Sequence, residues 1–134
     1  MQLAPAPGDV PLYTIGDPRV NIGKFVLAAL ACPDVSLPGR GLHVAIEETS
    51  NAMLLEAWSE ATGKNATYVQ TTVESYDALW PGWGMVEGRM FQFYDEFRGM
   101  PWMLEGEKML MAIDLGLDVK EMSGVREALQ DMQT

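Results

Sequence analysis

One histidine, one cysteine and a few paired carboxylates are the side chains here whose types do chemistry, so their spacing decides what chemistry is open. His43 falls inside an alternating, strand-like stretch, whereas a metal site or a His-assisted nucleophile needs several partners converging on one point. A structural histidine is the simpler reading. Cys32 ends an apolar run with neither a basic neighbour nor a helix N-terminus to lower its pKa, so it reads as a small buried hydrophobe. Tyr94 and Arg98 stand four apart, but an arginine does not titrate and cannot serve as a base. Glu47-Glu48 and Glu105/Glu107 read as a solvated face rather than an acid/base pair. No catalytic residue and no metal ligand is assigned.

Gly82-Trp83-Gly84-Met85-Val86-Glu87-Gly88 imitates a phosphate-cradling GxG loop. A true dinucleotide loop follows a buried strand and brings pyrophosphate to a helix N-terminus. The residues before Gly82 are not strand-like and Trp83 is bulky, so the stretch reads as a helix start with an aromatic anchor. Ten methionines, five of them between Met90 and Met111, fill irregular core gaps and also suit adaptable apolar pockets. Trp80, Trp83, Met85, Tyr94, Met100, Trp102 and Met103 are the candidate lining for a small aromatic or polyketide-like ligand, since ligand sites are mostly apolar.

The elements that position these residues centre on 42–73, which reads strand, helix, strand. Leu42, Val44 and Ile46 alternate with Gly41, His43, Ala45 and Glu47. Thr49 or Ser50 is the N-cap of a helix whose Leu54, Ala57, Trp58 and Ala61 share one face, and Gly63 ends it. Thr67 to Val73, rich in β-branched residues, predicts the second strand. Before this unit, the prolines of residues 1–11 predict a flexible leader, Leu12-Tyr13-Thr14-Ile15 a short strand closed by Gly16, and Asp17-Pro18 a capped helix. That helix should turn Ile22, Phe25, Val26, Ala29 and Leu30 to the core. After it, 75–80 predicts a short helix stopped by Pro81, 85–98 a longer one with Val86, Met90, Phe93 and Phe97 in line, 104–115 another, and Ser123 a cap for the tail helix. The expectation is a helix-rich α/β fold of two or three short strands and about five helices, one domain over 12–134. Its core should hold Ile22, Phe25, Val26, Leu54, Trp58, Val69, Met90 and Phe93.

Composition narrows the classes. With 134 residues, 48% of them hydrophobic, the chain has enough apolar material for one core. A net charge of −10 and scattered basic residues exclude a nucleic-acid or anionic-membrane surface. A single cysteine rules out an internal disulfide and fits a reducing compartment. The apolar run from Phe25 to Cys32 is too short for the roughly 20 residues that span a bilayer. The start Met1-Gln2-Leu3-Ala4-Pro5 lacks a signal-peptide pattern, and the expected location is cytoplasmic.

Glu48-Thr49-Ser50 followed by Ala57-Trp58-Ser59-Glu60-Ala61-Thr62-Gly63-Lys64-Asn65-Ala66-Thr67-Tyr68-Val69 resembles the C-terminal half of NmrA-like proteins, atypical members of the short-chain dehydrogenase/reductase superfamily. Asp17-Pro18-Arg19 through Gly23-Lys24-Phe25-Val26 is similar to the family's preceding helix, and Gly84 through Phe97 to its following one. The similarity covers roughly residues 12 to 130 and rests on the order of short motifs.

The resemblance implies the substrate-side lobe of a Rossmann-type, NADP-dependent oxidoreductase or redox-sensing regulator, with a role in fungal secondary metabolism or nitrogen-linked regulation. The dinucleotide-binding half that should precede it is not in this sequence, and the Tyr-x-x-x-Lys pair of ordinary short-chain reductases is missing. The chain alone is therefore expected to bind no NADP and to lack reductase activity. As a truncated lobe it should expose apolar surface, so self-association or a protein partner is expected, together with an apolar small molecule. The alternative is a non-catalytic small-molecule-binding or protein-interaction module.

Overall fold

A computed structural model describes residues 1–37, 39–99 and 108–132. In chain order the elements are β1 (Gln2–Ala4), β2 (Pro11–Thr14), α1 (Pro18–Ala31), α2 (Pro33–Ser36), β3 (Glu47–Ser50) and α3 (Asn51–Thr62). They continue with β4 (Tyr68–Gln70), α4 (Val73–Leu79), α5 (Trp83–Glu96), two 3-10 turns (Ala112–Leu115 and Val119–Glu121) and α6 (Val125–Asp131). Among the described residues this is a helix-rich α/β fold with a few short strands, as expected. β1 pairs in parallel with β4, and β2 pairs with β3.

The described residues cluster into two compact units. One holds the described residues of Met1–Leu12 and Thr49–Trp102, the other those of Tyr13–Glu48 and Met103–Thr134. The chain passes between them within β2 and within β3.

In the first unit, residues 1–11 are not a flexible leader. Leu3 pairs with Val69, Ala4 and Val10 are buried, and the Tyr68 hydroxyl donates to the Ala6 carbonyl at 2.7 Å. The prolines leave free the N–H groups that β1 needs, and Gln2 N donates to Thr67 O at 2.9 Å. Helix α3 starts and stops as its residues dictate. Ser50 accepts from Met53 N at 3.3 Å, and Gly63 takes the left-handed φ of 65°. Val73, read as the end of a strand, instead opens α4 behind a Thr72 cap and is 1% exposed. Helix α5 lies against α4 through its glycines. A Cβ on Gly84 would meet Asp77 Cα at 2.6 Å, and one on Gly88 would meet Val73 Cγ1 at 2.8 Å.

In the second unit, Asp17 caps α1 by accepting from Arg19 N at 2.9 Å, and its carboxylate also takes the Arg19 guanidinium. That guanidinium, with the Arg19 N–H, holds the Asp17 carboxyl below its ordinary range against the opposing effect of burial. Gly16 turns the chain at φ 69°, where a Cβ would run into the Ser123 carbonyl. The same carbonyl receives Asp17 N at 2.9 Å and Asn21 Nδ2 at 2.7 Å. Ser123 is thus an acceptor for this turn, while Gly124 is the N-cap of α6. The strand expected at 42–46 shrinks to one parallel bridge, Leu42 to Leu110, and the extended pairing begins at Glu47. Of the helix expected over 104–115, the described part holds that bridge and a 3-10 turn; residues 104–107 lie outside the described residues.

The predicted core is mostly overturned. Phe25 is buried, but Ile22, Val26, Met90 and Phe93 are 43 to 51% exposed, Trp58 and Val69 sit at the edge of exposure, and Leu54 is half-buried. Helix α1 buries Asn21 and Phe25 and leaves Val20, Ile22, Val26, Leu27 and Leu30 outward. The spacing rule finds the most apolar stripe of a helix, but the neighbours decide which stripe is covered. Here the turn at Ile15 and Ser123 offers carbonyls, so the polar Asn21 faces inward and donates to both at 2.7 Å.

Candidate functional site

Of the seven residues expected to line a ligand pocket, the structure describes four, all in the first unit. Trp80 closes α4 and packs on Tyr76, ring centroids 4.9 Å apart, while Trp83 opens α5 and is 65% exposed. Met85 is half-buried, and its N–H donates to the Asp77 carboxylate at 2.9 Å. Tyr94, also half-buried, packs against the ring of its sequence neighbour Phe93. Eleven residues separate Trp83 from Tyr94 on one helix, a rise of roughly 16 Å. Trp80 and Met85 therefore flank the turn into α5, and Tyr94 lies near its other end. Met100, Trp102 and Met103 lie outside the described residues.

The GxG-like loop does not fit a phosphate. Asp77 Oδ1 already accepts from Gly82 N at 2.8 Å and Met85 N at 2.9 Å, placing a carboxylate where an anion would have to sit. Gly84 and Gly88 meanwhile face α4. The glycines serve close helix packing. Arg98 is held by Asp95 at 2.7 Å and Asp9 at 3.4 Å, which raise its pKa further and fix it as an ion-pair anchor. Cys32 caps the C-terminus of α1 and is half-buried, less enclosed than its apolar context suggested. Among the described residues no three His, Cys, Asp or Glu side chains gather to hold a metal.

Polar and apolar groups converge instead in the second unit. A cleft of about 290 Å³ is lined by Tyr13 of β2, His43, Ala45 and Ile46, the carboxylates Glu47 and Glu48 of β3, and Met111, Ala112, Ile113 and Val119. Its walls are stitched by backbone. His43 N donates to Leu110 O at 2.8 Å, Leu110 N to Gly41 O at 2.8 Å, and Ile46 N to Thr14 O at 2.9 Å. Of the lining residues Ala112 is buried, whereas Ile113 is 77% exposed.

At the polar end, hydrogen bonding to the Glu48 carboxylate, then burial, pushes the Tyr13 pKa above its ordinary 10.0. His43, 7% exposed, stands edge-on to the Tyr13 ring with centroids 5.2 Å apart. Burial lowers its pKa from the ordinary 6.5, so the ring is neutral at pH 7. Glu47 is engaged elsewhere: its Oε1 accepts from Val125 N at 2.8 Å and serves the first turn of α6. No lysine or arginine is among the lining residues.

Sequence reasoning saw His43 and the Glu47-Glu48 pair but read them as structural and solvated, and it placed Tyr13 only in a strand. The usable signal was the pair itself, two carboxylates ending an alternating stretch. What brings Tyr13 to Glu48 is the pairing of β2 with β3, which no local pattern encodes.

Fold and cleft together define a helix-rich α/β protein with an apolar, acid-rimmed depression. Compared with family models, curated proteins and solved structures, the chain matches none. No helix among the described residues is long and apolar enough to cross a membrane.

Proposed function

We propose that this chain is the substrate-side lobe of an NmrA-like protein, one that works against a second protein body and carries no reductase activity itself. The observation that supports it most is the outward stripe on α1, where Ile22, Val26 and Leu30 are 48, 51 and 73% exposed. A helix in its final environment rarely offers so continuous a row of aliphatic residues to water. Helix α5 has the same character, with Trp83, Val86, Met90, Phe93 and its C-cap Phe97 all exposed. In the family, this lobe packs on a dinucleotide domain, and such a domain or a second copy of the chain is the body these faces await. NADP would belong to that domain. The Ser50-capped α3, Gly63 in its left-handed conformation and the extended Tyr68–Gln70 also support the reading.

Light scattering on the purified chain over a hundredfold concentration range, with a hydrophobic dye in parallel, tests this reading. The expected result is a mass that grows with concentration, or dye binding that a partner suppresses. A strictly monomeric mass with no dye binding overturns it. Steady NADPH oxidation by the chain, retained after a contaminant check, would overturn the absence of reductase activity.

The second reading, a free-standing small-molecule-binding module, is favoured by the cleft at Tyr13, His43 and Glu48.

A further inference from the structure

The geometry of that cleft points to a ligand class: we propose that it takes a single-ring apolar molecule carrying an O–H or N–H donor and no negative charge. The proposal rests on the binding-module reading of the cleft and is independent of the family reading. Size comes first. A depression of about 290 Å³ lies at the lower end of small-molecule sites and suits one ring with a short substituent. Its sides are aliphatic: Ile46, Ala112, Ile113 and Val119 offer surface to a flat apolar body.

The polar end sets the chemistry. The Glu48 carboxylate in the lining can only accept hydrogen bonds. An incoming group must supply the donor. A carboxylate or phosphate would meet Glu48 with no lysine or arginine in the lining to offset the repulsion, in a chain whose net charge is −10. The His43 ring, edge-on at 5.2 Å, braces the Tyr13 ring, so this wall of the cleft is set before a ligand arrives.

His43 is the chain's one histidine, so its ring protons give an unambiguous NMR signal at the wall of the cleft. The full chain is titrated with 4-methylphenol, toluene and 4-methylbenzoate, which share a ring and differ in donor and charge. Saturable movement of the His43 signals is expected in the order 4-methylphenol, toluene, 4-methylbenzoate, the last at least tenfold weaker than the first. Glu48→Gln, a change at an exposed side chain, should weaken 4-methylphenol about tenfold. It should also narrow the gap to 4-methylbenzoate. Tyr13→Phe tests the same end independently. Equal binding of all three probes, tighter binding of 4-methylbenzoate, or no movement of His43 with any of them overturns the proposal. None of these results bears on the NmrA-like reading, which light scattering decides separately.

Discussion

Replacing Gly84 by alanine should destabilise the protein although alanine is the better helix former, because the site has no room. Gly84 is the second residue of α5, so alanine gains at most the about 1 kcal/mol that Gly→Ala is worth in a helix interior. Against that, the new Cβ would stand 2.6 Å from Asp77 Cα, 2.7 Å from Tyr76 O and 2.9 Å from Asp77 N. All three are backbone atoms of α4 and cannot rotate aside. Overpacking costs about 1 to 3 kcal/mol, and rigid neighbours put this case at the upper end. Moving α4 away also strains the Asp77 carboxylate that caps α5 through Gly82 N and Met85 N, a further loss of about 1 kcal/mol. The net expectation is a loss of about 3 kcal/mol. Gly23→Ala is the control. It sits inside α1 with nothing within 4 Å of a built Cβ, so it should stabilise by about 0.5 to 1 kcal/mol. Urea unfolding followed by circular dichroism, at one fixed protein concentration, measures both. A Gly84→Ala protein as stable as the parent, or two glycine variants of the same sign, would refute the close α4–α5 packing.

Other outcomes follow from single groups. His43 binds a proton more weakly folded than unfolded, so stability should be full above pH 6.5 and fall as pH drops through that value, by at most about 1.4 kcal/mol per unit. The fall should level off below the folded pKa. Unfolding midpoints from pH 8 to 5 test this against His43→Gln, whose curve should be flat where the parent's slopes; a parallel curve would mean that other groups carry the effect. Ser50→Ala removes the acceptor for Met53 N and should cost about 1 kcal/mol in thermal unfolding, whereas an unchanged midpoint would deny the cap its role. Phe93→Ser and Ile22→Ser, both at exposed positions, should change stability by less than about 0.5 kcal/mol yet reduce dye binding and self-association. Losses of several kcal/mol would show that these side chains are covered in solution.

The sequence by itself determined the punctuation of this chain and much of its helix content. Asp17-Pro18, Ser50, Gly63 and the break at Pro81 act through their own backbone and nearest neighbours, and each sits where its chemistry places it. Burial is decided at longer range. The apolar period on α1 marks Ile22, Val26 and Leu30, yet the fold buries Asn21, because two carbonyls 6 and 102 residues away need its amide. The glycines of α5 likewise read from sequence only as part of a helix start, and it is α4 packed against them that gives them their role. Residues 1–11 seemed leader-like because prolines suppress local structure, but β1 is made by a partner strand more than sixty residues on. The cleft follows the same rule. His43, Glu48 and Tyr13 carry no motif in common, and only the pairing of β2 with β3 and the Leu42–Leu110 bridge gather them around one space. Local chemistry fixes where elements start and stop; which faces meet depends on contacts between distant segments, whose energies no short window of sequence contains.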